Sequence, residues 1–190
     1  GGEVTGNVYE NLTTILTWRA AGIAVYGGYN NVFRNIYVAD TLVYSGITIS
    51  SLDFGYPMNG FGASPPTVFD NISIVRAGGH FWGNQVFPAI WVFSASKVFQ
   101  GIRVNNVDIV SPTYSGIMFQ TDYVGGQRLF PIADTILTNI SISGARIALL
   151  TAPSSKATGS PAGGPVSSST IGAVSWYSAS DACWISSRTQ

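Results

Sequence analysis

The chain has 190 residues, and its nine basic and nine acidic side chains cancel, with only 9% of positions charged. That balance leaves no electrostatic footprint for nucleic acid or an anionic membrane surface, so neutral partners are favoured. The length suits one domain with a real core, and no apolar stretch is long enough to cross a membrane.

Gly1-Gly2-Glu3 has neither the basic nor the apolar region of a signal peptide, so a secreted protein would appear here as a mature or processed chain. From Asn7 a phrase recurs: a turn asparagine, an alternating apolar run, then a small residue opening a second apolar run. Anchored on Asn11, Asn35, Asn71, Asn106 and Asn139, the steps are 24, 36, 35 and 33 residues. That spacing is typical of stacked supersecondary units.

Both runs have period two, as in Ile23-Ala24-Val25-Tyr26, Ile47-Thr48-Ile49-Ser50 and Ile117-Met118-Phe119-Gln120. They read as strands because they are short, four to seven residues, and rich in Val, Ile, Thr and aromatics, with Gly and Asn between them. The predicted fold is all-β, a right-handed parallel β-helix of about five coils over 1–151. Aligning the second run of each coil puts Ile23, Ile47, Ile90, Ile117 and Ile147 in one inward column and Val25, Ile49, Val92, Phe119 and Leu149 in the next. The outward columns, with Trp91, Met118 and Phe93 among them, are apolar enough to expect a cover.

Insertions swell the second coil at Asp53 to Gly62 and the third at Gly78 to Gln85. Long aromatic-rich loops on one side of a rigid solenoid commonly form a binding surface. Acceptor sequons begin at Asn11, Asn71 and Asn139, all on the recurring turn asparagine. The alternative role of that residue is to adopt unusual turn dihedrals and stack on its counterparts. Residues 152–170 are dominated by Ser, Ala, Gly and Pro, the composition of a strap or linker. Residues 171–190 carry enough apolar side chains to dock back on the helix or to open another module. Cys183 stands alone and reads as incidental.

His80 is the single histidine, which excludes a histidine-rich metal site, and the scattered acids give no calcium-loop spacing. No G-x-S-x-G phrase is present for triad chemistry, and no cofactor is implied.

The phrase Ala21-Gly22-Ile23-Ala24-Val25-Tyr26-Gly27-Gly28, then Asn31-Val32-Phe33-Arg34-Asn35 and Ser45-Gly46-Ile47-Thr48-Ile49-Ser50, resembles the later coils of bacterial α-1,3-glucanases of the mycodextranase type, glycoside hydrolase family 87. The likeness continues through Val75-Arg76-Ala77-Gly78-Gly79, Ala89-Ile90-Trp91-Val92-Phe93 and Tyr114-Ser115-Gly116-Ile117-Met118, covering roughly Asn7 to Leu150. It implies a β-helix, secretion, and hydrolysis of α-1,3-glucan with inversion. It also implies an adjacent pair of catalytic aspartates just before a strand-opening glycine, one coil upstream of the phrase at Gly22.

The corresponding corners here read Ala20-Ala21-Gly22, Tyr44-Ser45-Gly46 and Tyr114-Ser115-Gly116, and no two acids are adjacent in the chain. The expectation is therefore an incomplete helix whose acid pair lies upstream of Gly1, and a chain inactive by itself. One internal pair deserves weighing: Asp53 and Asp122 follow their strands at similar offsets two rungs apart. That would separate them by roughly 9.5 Å, at the edge of the inverting window.

Along the same corner, Trp18, Arg19, Tyr44, His80, Trp82 and Gln85 are candidate groove walls. Aromatic faces stack on sugar rings, and Arg, His and Gln can bond hydroxyls. The expected partner is a polysaccharide. A cut through a solenoid exposes unpaired strand and the column headed by Val8, Ile15, Ile23 and Val25, so a second expected partner is the upstream coils or another chain stacking there. The alternative function is a non-catalytic β-helix that binds glycan or serves as an adhesin or scaffold.

Overall fold

The computed structural model describes residues 4–51, 61, 65–80, 86–94, 99–121, 123–124, 127–128, 132–153, 170–171 and 174–177. Its strands are β1 (Val8–Ile15), β2 (Ile23–Val25), β3 (Val32–Ala39), β4 (Ile47–Ser50), β5 (Thr67–Val75), β6 (Ile90–Ser94) and β7 (Ile102–Val110). They continue as β8 (Ser115–Thr121), β9 (Tyr123–Val124), β10 (Gln127–Arg128), β11 (Thr135–Ser143), β12 (Ile147–Pro153), β13 (Thr170–Ile171) and β14 (Val174–Tyr177). No helix occurs among the described residues, and so none is long and apolar enough to cross a membrane.

A seven-stranded parallel sheet runs β1-β3-β5-β7-β11, with β13 and β14 both on β11, and a five-stranded parallel sheet runs β2-β4-β6-β8-β12. Alternate strands in chain order thus fall in two walls, each coil contributing one strand to each, as in a parallel β-helix. The β9–β10 hairpin is antiparallel. A line of parallel bridges, Gly28 to Phe61 and Phe99 to Ile132, adds a third, short contact zone. Phe61, Phe99 and Ile132 are buried there.

The long strands are longer than the sequence runs suggested, eight residues in β1 and β3 and nine in β5, β7 and β11. Each joins two runs through an asparagine in the left-handed region: Asn11, Asn35, Asn71, Asn106 and Asn139 have φ of 57, 55, 53, 53 and 51°. Among L-residues Asn adopts this conformation with unusual ease. It shifts the period-two alternation by one residue, so both halves keep their apolar side inward while the strand bends. In β5 the inward residues are Thr67 and Phe69 before the bend and Ile72 and Ile74 after it.

The core lies between the walls. Val38, Ile74, Ile109 and Ile142 of the long strands meet Ile47, Ile49, Ile90 and Ile117 of the short ones, all at most 1–2% exposed. Rings of equivalent residues stack along the axis: Tyr9 on Phe33 at 4.7 Å and Phe33 on Phe69 at 4.8 Å, both within 8° of parallel. At the first rung Val8 and Ile15 are 56% and 53% exposed, because β1 has a partner only on its β3 side.

The register corrects one expectation. Ile23, Ile47, Ile90 and Ile117 do share a column, but Leu149 continues it and Ile147 pairs with Ser115. The cause is the length of the corner. Ser143 pairs with Val110, and Val110 needs seven residues to reach Ile117; Leu149 lies six beyond Ser143, whereas Ile147 lies only four beyond. A slip of two preserves the face each side chain presents. β12 also runs to Pro153, past the boundary expected at residue 151. Residues 154–169 and Cys183 lie outside the described residues, whereas Thr170–Ile171 and Val174–Tyr177 pair in parallel with β11.

The outward face of the short-strand sheet is covered. Phe87, Trp91, Phe93 and Met118 form a second buried cluster with Tyr44 packed against it. Trp91 stacks on Phe93 at 4.7 Å and donates its indole N–H to Gln120 Oε1 at 2.9 Å.

Candidate functional site

The turns that lead from long strands to short ones stack into a continuous corner. Leu42 N–H donates to Thr17 O at 3.0 Å, Gly78 N–H to Thr41 Oγ1 at 3.0 Å, and Thr113 N–H to Ala77 O at 3.0 Å. These bonds hold successive turns one rung apart. A Cβ added at Gly79 would sit 2.6 Å from Leu42 O, so the third turn can lie this close to the second only without a side chain there. The corner ends in small residues because the walls converge. A Cβ on Gly46 would come within 2.8 Å of Ile74 Cγ2, and one on Gly116 within 2.8 Å of Ile142 Cδ1.

This corner carries every described residue expected to line a groove. Trp18 and Arg19 are exposed in the first turn, with Trp18 at 67%. Tyr44 is half-buried in the second, its ring 4.7 Å from that of Phe87. His80 is exposed in the third and is bridged through its backbone to Val86. Trp82, Gln85, Asp53 and Asp122 lie outside the described residues.

Other residues join the corner that the sequence reading did not single out as lining it. Tyr26 directly follows the first short strand, and burial, then the neighbouring Tyr44, raises its phenol pKa above the ordinary value of 10.0. Ser45 and Thr48 share a 2.5 Å hydroxyl contact, and Ser115 Oγ is buried with no hydrogen-bond partner. Tyr114 and Arg146 occupy the later turns. The recurrent Tyr-Ser-Gly at positions 44–46 and 114–116 was the available signal. Among the described residues the arrangement offers phenols, hydroxyls, an imidazole and guanidinium groups, but no paired carboxylates. Among the described residues no group of three His, Cys, Asp or Glu could hold a metal ion.

Away from the corner, the ladder asparagines are exposed. Asn35 Nδ2 donates to Asn11 Oδ1 at 3.2 Å, Asn71 Nδ2 to Asn35 Oδ1 at 2.8 Å, and Asn139 Nδ2 to Asn106 Oδ1 at 2.7 Å. Between Asn71 and Asn106 the ladder breaks, because Asn106 Nδ2 turns to Asp70 Oδ1 at 2.7 Å. Asn11, Asn71 and Asn139 of the sequons are thus ladder members.

A family model described as the α-1,3-glucanase catalytic domain D2 matches residues 1–180. The chain belongs to that family. Among solved structures it is 33% identical, at a TM-score of 0.74, to an aspartate-to-alanine variant of the catalytic domain of a family 87 α-1,3-glucanase in complex with tetrasaccharides, covering 92% of this chain and 36% of that one. Another such variant, in complex with nigerose, matches at 34% identity and a TM-score of 0.69, covering 83% of this chain and 29% of that one. The fold alone is shared with the catalytic unit of a thermostable α-1,3-glucanase from Streptomyces thermodiastaticus strain HF3-3, at 20% identity and a TM-score of 0.57, covering 92% and 36%. No curated protein matches. The chain spans about a third of the length of the solved glucanase domains it resembles.

Proposed function

We propose that this chain forms part of the catalytic domain of a secreted glycoside hydrolase that cleaves α-1,3-glucan with inversion. The observation that carries the reading is the 33% identity over 92% of the chain to a glucanase domain solved in complex with tetrasaccharides. In this reading the catalytic carboxylates come from coils stacked on β1 and β2, and the corner of this chain extends the groove. Trp18 and Tyr44 stack on sugar rings while Arg19 and His80 bond hydroxyls, with Trp82 and Gln85 as further members of the wall. The exposed apolar side chains of the first rung, Val8, Ile15 and Leu16 among them, support such stacking.

The test is reducing-sugar release from α-1,3-glucan by this chain alone and by the chain joined to the preceding coils of a family 87 domain. Activity is expected only in the joined form. Turnover by the chain alone, abolished by Asp53→Asn or Asp122→Asn, would overturn the assignment in favour of the internal pair. A second reading, a non-catalytic glycan-binding solenoid, is favoured by the lack of adjacent acids and predicts no turnover in either form.

A further inference from the structure

We propose that the bend of the long-strand sheet carries a second glycan site, a groove in which a neutral glucan chain lies along the solenoid axis. It deepens the glucan reading above and rests on it. The groove has a volume of about 650 Å3 and runs across all five long strands. Its floor has two parallel rows. One is the asparagine ladder; the other, two residues further on, is Thr13, Tyr37, Ser73, Asp108 and Ser141, held in register by the strand pairing. It follows the middle of the long strands, apart from the turns that hold Arg19, Tyr44 and His80.

The chemistry of these rows selects the occupant. Backbone amides in the floor are spent on neighbouring rungs, so a peptide cannot add as a strand. One formal charge, on Asp108, faces the groove, which offers nothing to a polyanion. What remains is a periodic set of amides and hydroxyls with one aromatic face, that of Tyr37, 37% exposed. A side-chain amide has two donor hydrogens and an acceptor oxygen, and each ladder donor spends one hydrogen on its neighbour. The break in the ladder leaves Asn71 Oδ1 without a donor among the described residues. A sugar hydroxyl supplies that donor, and Tyr37, one rung away, supplies a stacking face. Rungs about 4.8 Å apart extend the floor over roughly 19 Å, room for several linked sugars.

The experiment titrates the isotope-labelled chain with an α-1,3-linked glucotetraose and follows side-chain amide signals by NMR. The expected result is movement of the ladder asparagine signals, retained in Arg19→Ala, with affinity at the groove reduced several-fold in Tyr37→Ala and unchanged melting temperature. Ser73→Ala, which leaves the exposed aromatic intact, is expected to weaken the same signals' response. Shifts confined to the corner residues would overturn the groove and leave the glucan reading standing. No shift anywhere at millimolar ligand would overturn both.

Discussion

Each ladder asparagine combines a backbone conformation with a side-chain bond, and the two can be separated by substitution. Asn35 has φ of 55°, donates to Asn11 and accepts from Asn71. A side chain such as alanine costs about 1–2 kcal/mol in this left-handed region, whereas glycine enters it without steric penalty. Lost exposed hydrogen bonds add on the order of 0.5–1.5 kcal/mol. Asn35→Ala is therefore expected to destabilise the fold by about 1–3 kcal/mol and Asn35→Gly by less, as measured by urea unfolding. Equal losses would show that the bonds alone matter.

Tyr26 gives a residue-scale pH dependence. Its folded pKa is raised above 10.0, so the neutral phenol is the form the fold prefers. The associated stability is fully present below the unfolded pKa and is lost as pH rises through the folded one. Tyr26→Phe should thus flatten the fall in melting temperature above about pH 10 while leaving the acid side unchanged. An identical alkaline fall in both proteins would refute it.

At the scale of elements, the corner glycines set how closely the walls approach. A Cβ at Gly116 would meet Ala148 O at 2.8 Å and Ile142 Cγ2 at 2.9 Å, backbone on one side and a packed core side chain on the other. Gly116→Ala should cost about 1–3 kcal/mol by overpacking, checked by chemical denaturation. The strands themselves were legible because alternation of Val, Ile and Phe with polar residues is a local signal. The slip at β12 was not. It depends on how many residues a turn consumes, and Gly144–Arg146 does not announce that its corner is short. Likewise the alignment of Trp18, Arg19, Tyr44 and His80 on one corner followed from the repeat; a cover over Trp91 and Phe93 was called for by their apolar columns, but that Phe87 and Tyr44 supply it depends on how the turns fold. The groove at the bend was illegible for a further reason: the asparagines were recognisable as stacking residues, but a concave surface arises only once five strands bend together.

At the scale of the whole molecule, each rung touches mainly its two neighbours, so stability accumulates along the axis and is lowest where a rung has one neighbour. The first rung shows this in its exposed Val8, Ile15 and Leu16, against the fully buried Ile74 and Ile109 further along. One of these left-handed asparagines stands in each of the five long strands, and this bears on how the protein ages. Asparagine deamidates when the next backbone nitrogen attacks the side-chain carbonyl and closes a five-membered ring. Every ladder asparagine is followed by a bulky residue, Leu12, Ile36, Ile72, Val107 or Ile140, anchored in strand pairing that holds this nitrogen in place. The chain contains one Asn-Gly step, at Asn59-Gly60, where no side chain hinders the attack. Incubation for weeks at mildly alkaline pH, followed by peptide mass mapping, should find aspartate and isoaspartate at Asn59 well before any ladder position. The spine that shapes this solenoid is in this sense also its slowest clock.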